Sequence, residues 1–172
     1  MKKVLLSIIV LAAYIVSVSA VDNVANKTLS VQSKARIIVP ITLANTSSQA
    51  LDFGVIARGT VASTVVVPAL ASFSSNVSSG DAVVLSSATQ TAAKFTVGGE
   101  SGKTYAITIP STIQTITSGG NSLNITTFSC SNGTGGVIGT NDVFYVGGTL
   151  SVPLNAVAAS YTGTFSVTVA YN

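Results

Sequence analysis

The side chains able to do chemistry in this sequence are few. Five carboxylates occur, at Asp22, Asp52, Asp81, Glu100 and Asp142, together with one thiol, Cys130, and there is no histidine. Without an imidazole, Ser-His and Cys-His activation of a nucleophile, histidine-based metal sites and imidazole acid–base catalysis are excluded. A carboxylate pair flanking a glycosidic bond is a remaining common design, but successive acids stand at least 19 residues apart and no motif supports them. Asp52, between Leu51 and Phe53 at a strand start, is expected to accept hydrogen bonds from a turn, and the other four acids are expected to serve surface solubility. Cys130 has no cysteine to pair with, and its expected place is a partly buried position in a loop after a strand. No calcium loop, phosphate-binding glycine loop or cysteine pair is present. The chain is therefore expected to be no enzyme and to hold no metal or cofactor.

What remains is a scaffold, and the composition says of what kind. Only 8% of residues are charged, and Ser, Thr, Asn and Gly fill the polar positions while Val and Ile fill many of the apolar ones; this favours a β-rich surface protein. Lys2 and Lys3, an apolar run over 4–16 and the small-residue stretch Val18-Ser19-Ala20 have the order of a secretory signal peptide, with cleavage expected after Ala20. The apolar run is shorter than the roughly 20 residues that a membrane-spanning helix needs, and no later segment is expected to span a bilayer. Beyond position 20 six basic residues face five acidic ones, so a charge of about +1 without clusters leaves no footprint for nucleic acid or acidic lipid. The expected organisation is a signal peptide over 1–20, an N-terminal extension over 21–33 and one domain over 34–172.

Period-two alternation dominates the domain and helical periodicity is nearly absent. Strands are predicted at 35–43, 51–56, 61–67, 82–86, 94–98, 104–110, 122–128, 143–152 and 161–172. In the first, Ile37, Val39, Ile41 and Leu43 share a face, and Pro40, which lacks an N–H, implies an edge or bulge. In the last, Tyr161, Phe165, Val167, Val169 and Tyr171 lie on one face and Thr162, Thr164, Ser166, Thr168 and Ala170 on the other. Ser118-Gly119-Gly120-Asn121 reads as a hairpin turn after the 113–117 segment, while Gly147-Gly148, inside a strand pattern, implies a bulge or a close backbone approach. Phe53, Phe73, Tyr105, Phe128, Phe144 and Tyr145 are expected in the core. Short strands with glycine-rich connections and no covering helices predict an all-β, antiparallel, immunoglobulin-like sandwich.

The two ends differ. The strongly patterned last strand stops at the C-terminus, and such a strand leaves an edge open to strand addition. The extension over 21–33 is the candidate donor strand. Ala25, Leu29 and Val31 share one face of an extended chain, interrupted by Asn23 and Lys27, and Val24 lies on the other. Val24, Ala25, Leu29 and Val31 are the expected donor residues, and Phe165, Val167, Val169 and Tyr171 the expected edge or groove that receives a strand.

Several stretches resemble a family of small secreted bacterial proteins with a domain related to fimbrial major subunits of the Mat/Ecp type. They are Ala35-Arg36-Ile37-Ile38-Val39-Pro40-Ile41, Leu51-Asp52-Phe53-Gly54-Val55-Ile56, Phe95-Thr96-Val97-Gly98-Gly99 and Phe144-Tyr145-Val146-Gly147-Gly148-Thr149-Leu150, followed by Tyr161-Thr162-Gly163-Thr164-Phe165 and the ending Tyr171-Asn172. Similarity to chaperone-usher pilins implies a sandwich missing its final strand, a periplasmic chaperone that fills the gap, an outer-membrane usher, and homopolymerisation by exchange of N-terminal strands. The C-terminal strand ending at Tyr171 looks like the segment such chaperones bind. The resemblance implies export through the periplasm to a surface fimbrium and a role in adhesion or biofilm formation. The alternative from the residues alone is a monomeric secreted module, lectin-like or adhesin-like, that binds through its loops.

Overall fold

The computed structural model describes residues 27–45, 47–74, 76–85, 89–140 and 142–172. The expected signal peptide and the donor residues Val24 and Ala25 lie outside these. The chain divides into two units, residues 1–36 and 37–172. The described part of the first, residues 27–36, carries no strand or helix.

The second unit is all-β and its ladders are antiparallel throughout. Its strands are β1 (Thr42–Ala44), β2 (Ile56–Ala57), β3 (Ser63–Val67), β4 (Asn76–Ser79), β5 (Val83–Val84), β6 (Ala93–Gly98), β7 (Thr104–Thr108), β8 (Gln114–Ser118), β9 (Asn121–Cys130), β10 (Gly135–Val137), β11 (Asp142–Val152) and β12 (Thr168–Tyr171). A seven-stranded sheet follows the order β1-β6-β11-β3-β4, with β9 on β11 and β8 on β9. A three-stranded sheet runs β10-β7-β12, and β2 pairs β5.

β11 organises the large sheet because both of its edges are used. Val146 pairs Ala93 of β6 and Cys130 of β9, so those strands take opposite edges; Leu150 likewise pairs Val65 of β3 and Ile125 of β9. One edge of β11 therefore serves β6 and then β3, with the change at Gly147. There the chain leaving β3 passes so close that an added Cβ would lie 2.6 Å from the Pro68 carbonyl carbon and 2.7 Å from Ala69 N. The close approach expected at the glycine pair is thus real, and the β11–β9 register shifts a little further on, between Thr149 and Leu150.

Alternation puts Phe144, Val146, Leu150 and Val152 on one face of β11, and along that face the interior divides into two cores. Phe144 and Val146 meet Ala93, Val97, Tyr105, Ile107 and Ile138, which seals the small sheet on the large one. Leu150 and Val152 meet Phe53, Val65, Val67, Ala92, Leu123 and Ile125 in the second core. Val65, Leu150 and Ile125 stand in register across three strands, so apolar side chains on one face meet at strand spacing and exclude water together. Phe95 stacks on Phe144 at 5.2 Å between ring centroids, and Phe128 tilts on Phe165 at 5.1 Å. Phe53, Tyr105 and Phe144 are buried, and Phe73, Phe128 and Tyr145 pack against the cores, as expected of these aromatics.

Several boundaries differ from the sequence pattern. The first strand begins at Thr42, and residues 35–41 stay outside it; Pro40 cannot donate to a ladder. The long terminal strand contracts to β12, and only Thr162 upstream of it pairs, in an isolated bridge to Thr117. That stretch runs from the rim of the large sheet to the small one, and a chain changing sheets cannot keep one ladder. Residues 51–56 also dissolve, into an Asp52 bridge to Thr91 and the short β2. The β8–β9 hairpin closes as expected, with Ser118 opposite Asn121 and Gly119 at a φ of 58°. β4 and β10 had no expectation behind them.

Asp81 is more than a solubilising acid. Its carboxylate accepts from Thr60 Oγ1 at 2.7 Å, Thr60 N at 2.9 Å and Val61 N at 3.2 Å, holding the turn that leads into β3. The Thr60 hydroxyl first, and then the two backbone N–H groups, hold its pKa below the ordinary 3.8. A carboxyl depressed on folding stabilises the fold above its unfolded pKa and loses that contribution as pH falls through the folded value. Wild type should therefore lose stability in acid below about pH 4, and Asp81→Asn should be less stable at pH 7 with a flatter acid limb, as read by denaturation across pH. Gly147→Ala should destabilise by roughly 1–3 kcal/mol, because backbone is what the new methyl meets; urea unfolding checks it.

Candidate functional site

Beside the second core the surface opens into an apolar groove of about 1090 Å³. Ile116 of β8, Leu123 and Ile125 of β9, and Leu150 and Val152 of β11 line it from the large sheet, and residues 50–58 and 156–165 line its sides. Neither side is a proper strand. Residues 50–58 pair in one direction, through the Asp52–Thr91 bridge, the β2–β5 ladder and the Leu85 N–H to the Val55 carbonyl at 2.9 Å. Residues 156–165 touch a ladder only where Thr162 and Thr117 exchange hydrogen bonds of 2.8 and 3.0 Å. Arg58 ties the two sides, its Nη1 donating to the Ala156 carbonyl at 2.8 Å.

Local chemistry explains these irregular sides. Asp52 accepts from Gly54 N at 2.7 Å, the turn role expected of it, and Gly54 has a φ of 75°, which glycine adopts at little cost. That turn breaks the 51–56 strand pattern. On the opposite side Pro153 starts a turn closed by Ala156 N to the Pro153 carbonyl at 2.9 Å, and Tyr161 Oη donates to the Val157 carbonyl at 2.8 Å. Leu154 and Val157, at 59% and 50% exposure, sit out on this side.

The four residues expected to form a strand-receiving edge, Phe165, Val167, Val169 and Tyr171, all pack against the first core. Phe165 also lines the groove, resting on Phe128. β12 pairs β7 alone among the described residues, leaving it a sheet edge. Of the expected donor residues, Leu29 and Val31 are exposed. The sequence analysis read 51–56 and 161–172 as strands and missed 156–160, because neither groove side keeps a period-two ladder; the signal in the missed stretch was the apolar cluster of Leu154, Ala156 and Val157 without alternation.

Tyr171 has a second task. Its Oη donates to the Val39 carbonyl and accepts from Glu100 N, both at 2.7 Å, while Glu100 Oε2 accepts from Val39 N at 3.4 Å. Both backbone groups of Val39 are thus held. Gly99, at a φ of 154°, makes room: a Cβ there would collide with the Tyr171 hydroxyl.

Among the described residues no three His, Cys, Asp or Glu gather as a metal site would need. Cys130 ends β9 half-buried, and burial pushes its thiol pKa up. Burial, with Asp142 adding in the same direction, pushes the Tyr105 phenol up to about 12. Tyr105 Oη and Asp142 Oδ2 are both buried and act on one another, so Asp142, too, is no simple surface acid. No helix of the described residues is long and apolar enough to cross a membrane.

A family model described as a domain of unknown function, DUF4402, matches residues 41–171. The chain belongs to the DUF4402 family. No curated protein and no solved structure matches it. The matched span of the DUF4402 domain begins two residues after Val39 and ends on Tyr171, so the clasp stands at the domain's margin. Tyr171→Phe should cost roughly 0.5–1.5 kcal/mol and speed proteolysis at residues 37–40, measured by denaturant unfolding and limited digestion.

Proposed function

We propose that this DUF4402 domain is the structural subunit of a bacterial surface fibre, exported through the periplasm and polymerised when each subunit takes an N-terminal strand from another copy into its groove. The observation that carries the reading is the groove itself, apolar inside and flanked by two turn-held segments with sparse ladder pairing among the described residues. Backbone N–H and C=O groups beside apolar surface call for partners, and an added strand supplies both hydrogen bonds and alternate side chains. The sequence resemblance to fimbrial subunits points the same way, as does a chain poor in charge and lacking histidine. On this reading a periplasmic chaperone and an outer-membrane usher are partners, and the fibre serves adhesion or biofilm formation.

Val157 tests the groove without touching the core, since it is half-exposed on the groove's side. Wild type should give an SDS-resistant ladder in the cold that collapses on boiling, and Val157→Asp should lose it while keeping its unfolding midpoint. A wild-type protein that sediments as a discrete monomer would instead favour the secreted binding module.

A further inference from the structure

The longest run of strand-like sequence outside the strands lies before β1. Leu29, Val31, Ala35, Ile37 and Val39 fall on one side of an extended backbone, with Ser33 the one polar member, while Thr28, Ser30, Gln32, Lys34 and Arg36 fall on the other. Residues 27–40 belong to no strand, and all are exposed. Ile37 is 96% exposed, Leu29 84% and Val31 78%. Single exposed apolar residues are ordinary, but a stripe in strand phase along one segment marks a surface that docks.

Two further observations set its limits. At the C-terminal side both backbone groups of Val39 are already engaged, by Tyr171 and Glu100, so ladder pairing with another molecule stops before Val39. At the N-terminal side Val24 falls in the phase of Ser30 and Gln32, so one strand cannot bury both Val24 and Leu29. Nine residues, 29–37, span about 30 Å as a strand, close to the ten-residue β9 whose Leu123 and Ile125 line the groove.

Resting on the groove reading above, we infer that the segment docked into the next copy is 29–37, with Leu29, Val31, Ala35 and Ile37 facing the apolar lining and Ser30, Gln32, Lys34 and Arg36 facing solvent. This moves the donor strand downstream of the 21–33 stretch that the sequence pattern suggests, and it leaves Val24 and Ala25 outside the ladder.

The full chain after position 20, carrying single substitutions, separates the possibilities. Val31→Asp and Ile37→Asp should reduce the heat-sensitive polymer roughly tenfold or more, as a charge driven into an apolar groove would. Val24→Asp and Gln32→Asp, which add the same charge out of phase, should leave it intact. All four should keep the wild-type unfolding midpoint, and the Ile37→Asp monomer, whose groove is unaltered, should bind a synthetic peptide of residues 27–38. If Val24→Asp stops assembly while Ile37→Asp polymerises, this inference is overturned and the groove reading stands. If wild type neither polymerises nor has Ile37→Asp binding the peptide, both are overturned.

Discussion

A strand with both edges hydrogen-bonded has no freedom to shift, and β11 is in that position for much of its length. β6 and then β3 occupy one edge and β9 the other, so a slip of one residue would break three ladders and turn Phe144, Val146, Leu150 and Val152 out of both cores. Sharing one edge between two neighbours demands that the chain leaving β3 clear β11, and the missing side chain at Gly147 provides that clearance. The groove is a downstream consequence. Once the C-terminal half of β11 is committed to β3 and β9, its inward side chains Leu150 and Val152 are buried by other chain, and residues 50–58 and 156–165 line the groove beside them.

Legibility in the sequence followed how local each feature is. β11, β6, β7 and the β8–β9 hairpin depend on alternation and turn glycines within a dozen residues, and they stand close to where the pattern puts them. The aromatic core was readable for the same reason. The ends of the chain misled: the alternation over 35–41 and 161–167 is as regular as any, yet a strand needs a neighbour, and the first is stopped by Pro40 and the second by the passage between sheets. The groove was invisible because its sides are turn-held segments, defined by the Asp52 and Tyr161 hydrogen bonds and by Arg58 reaching the Ala156 carbonyl across 98 positions. Likewise the Asp81 turn and the Tyr171 clasp join residues whose separation in sequence carries no signal.

Packing and backbone pairing hold the DUF4402 domain together. Asp52 and Asp81 hold turns, Asp142 lies half-inside the fold, and burial raises the pKa of the Cys130 thiol. Val, Ile and Thr in strand phase do the structural work, and that same alternation extends upstream of β1 into residues 29–37, which form no strand.

The clasp at Val39 also fixes where a mechanical load enters the domain. Tension drawn along the chain toward β1 arrives first at Val39, whose carbonyl and amide are anchored to the last strand and to the turn after β6. The pull is thereby divided between β12 and the β6 end before it reaches the three-residue β1 ladder. A short terminal strand that would peel open one bond at a time is shielded by a single tyrosine hydroxyl placed ahead of it.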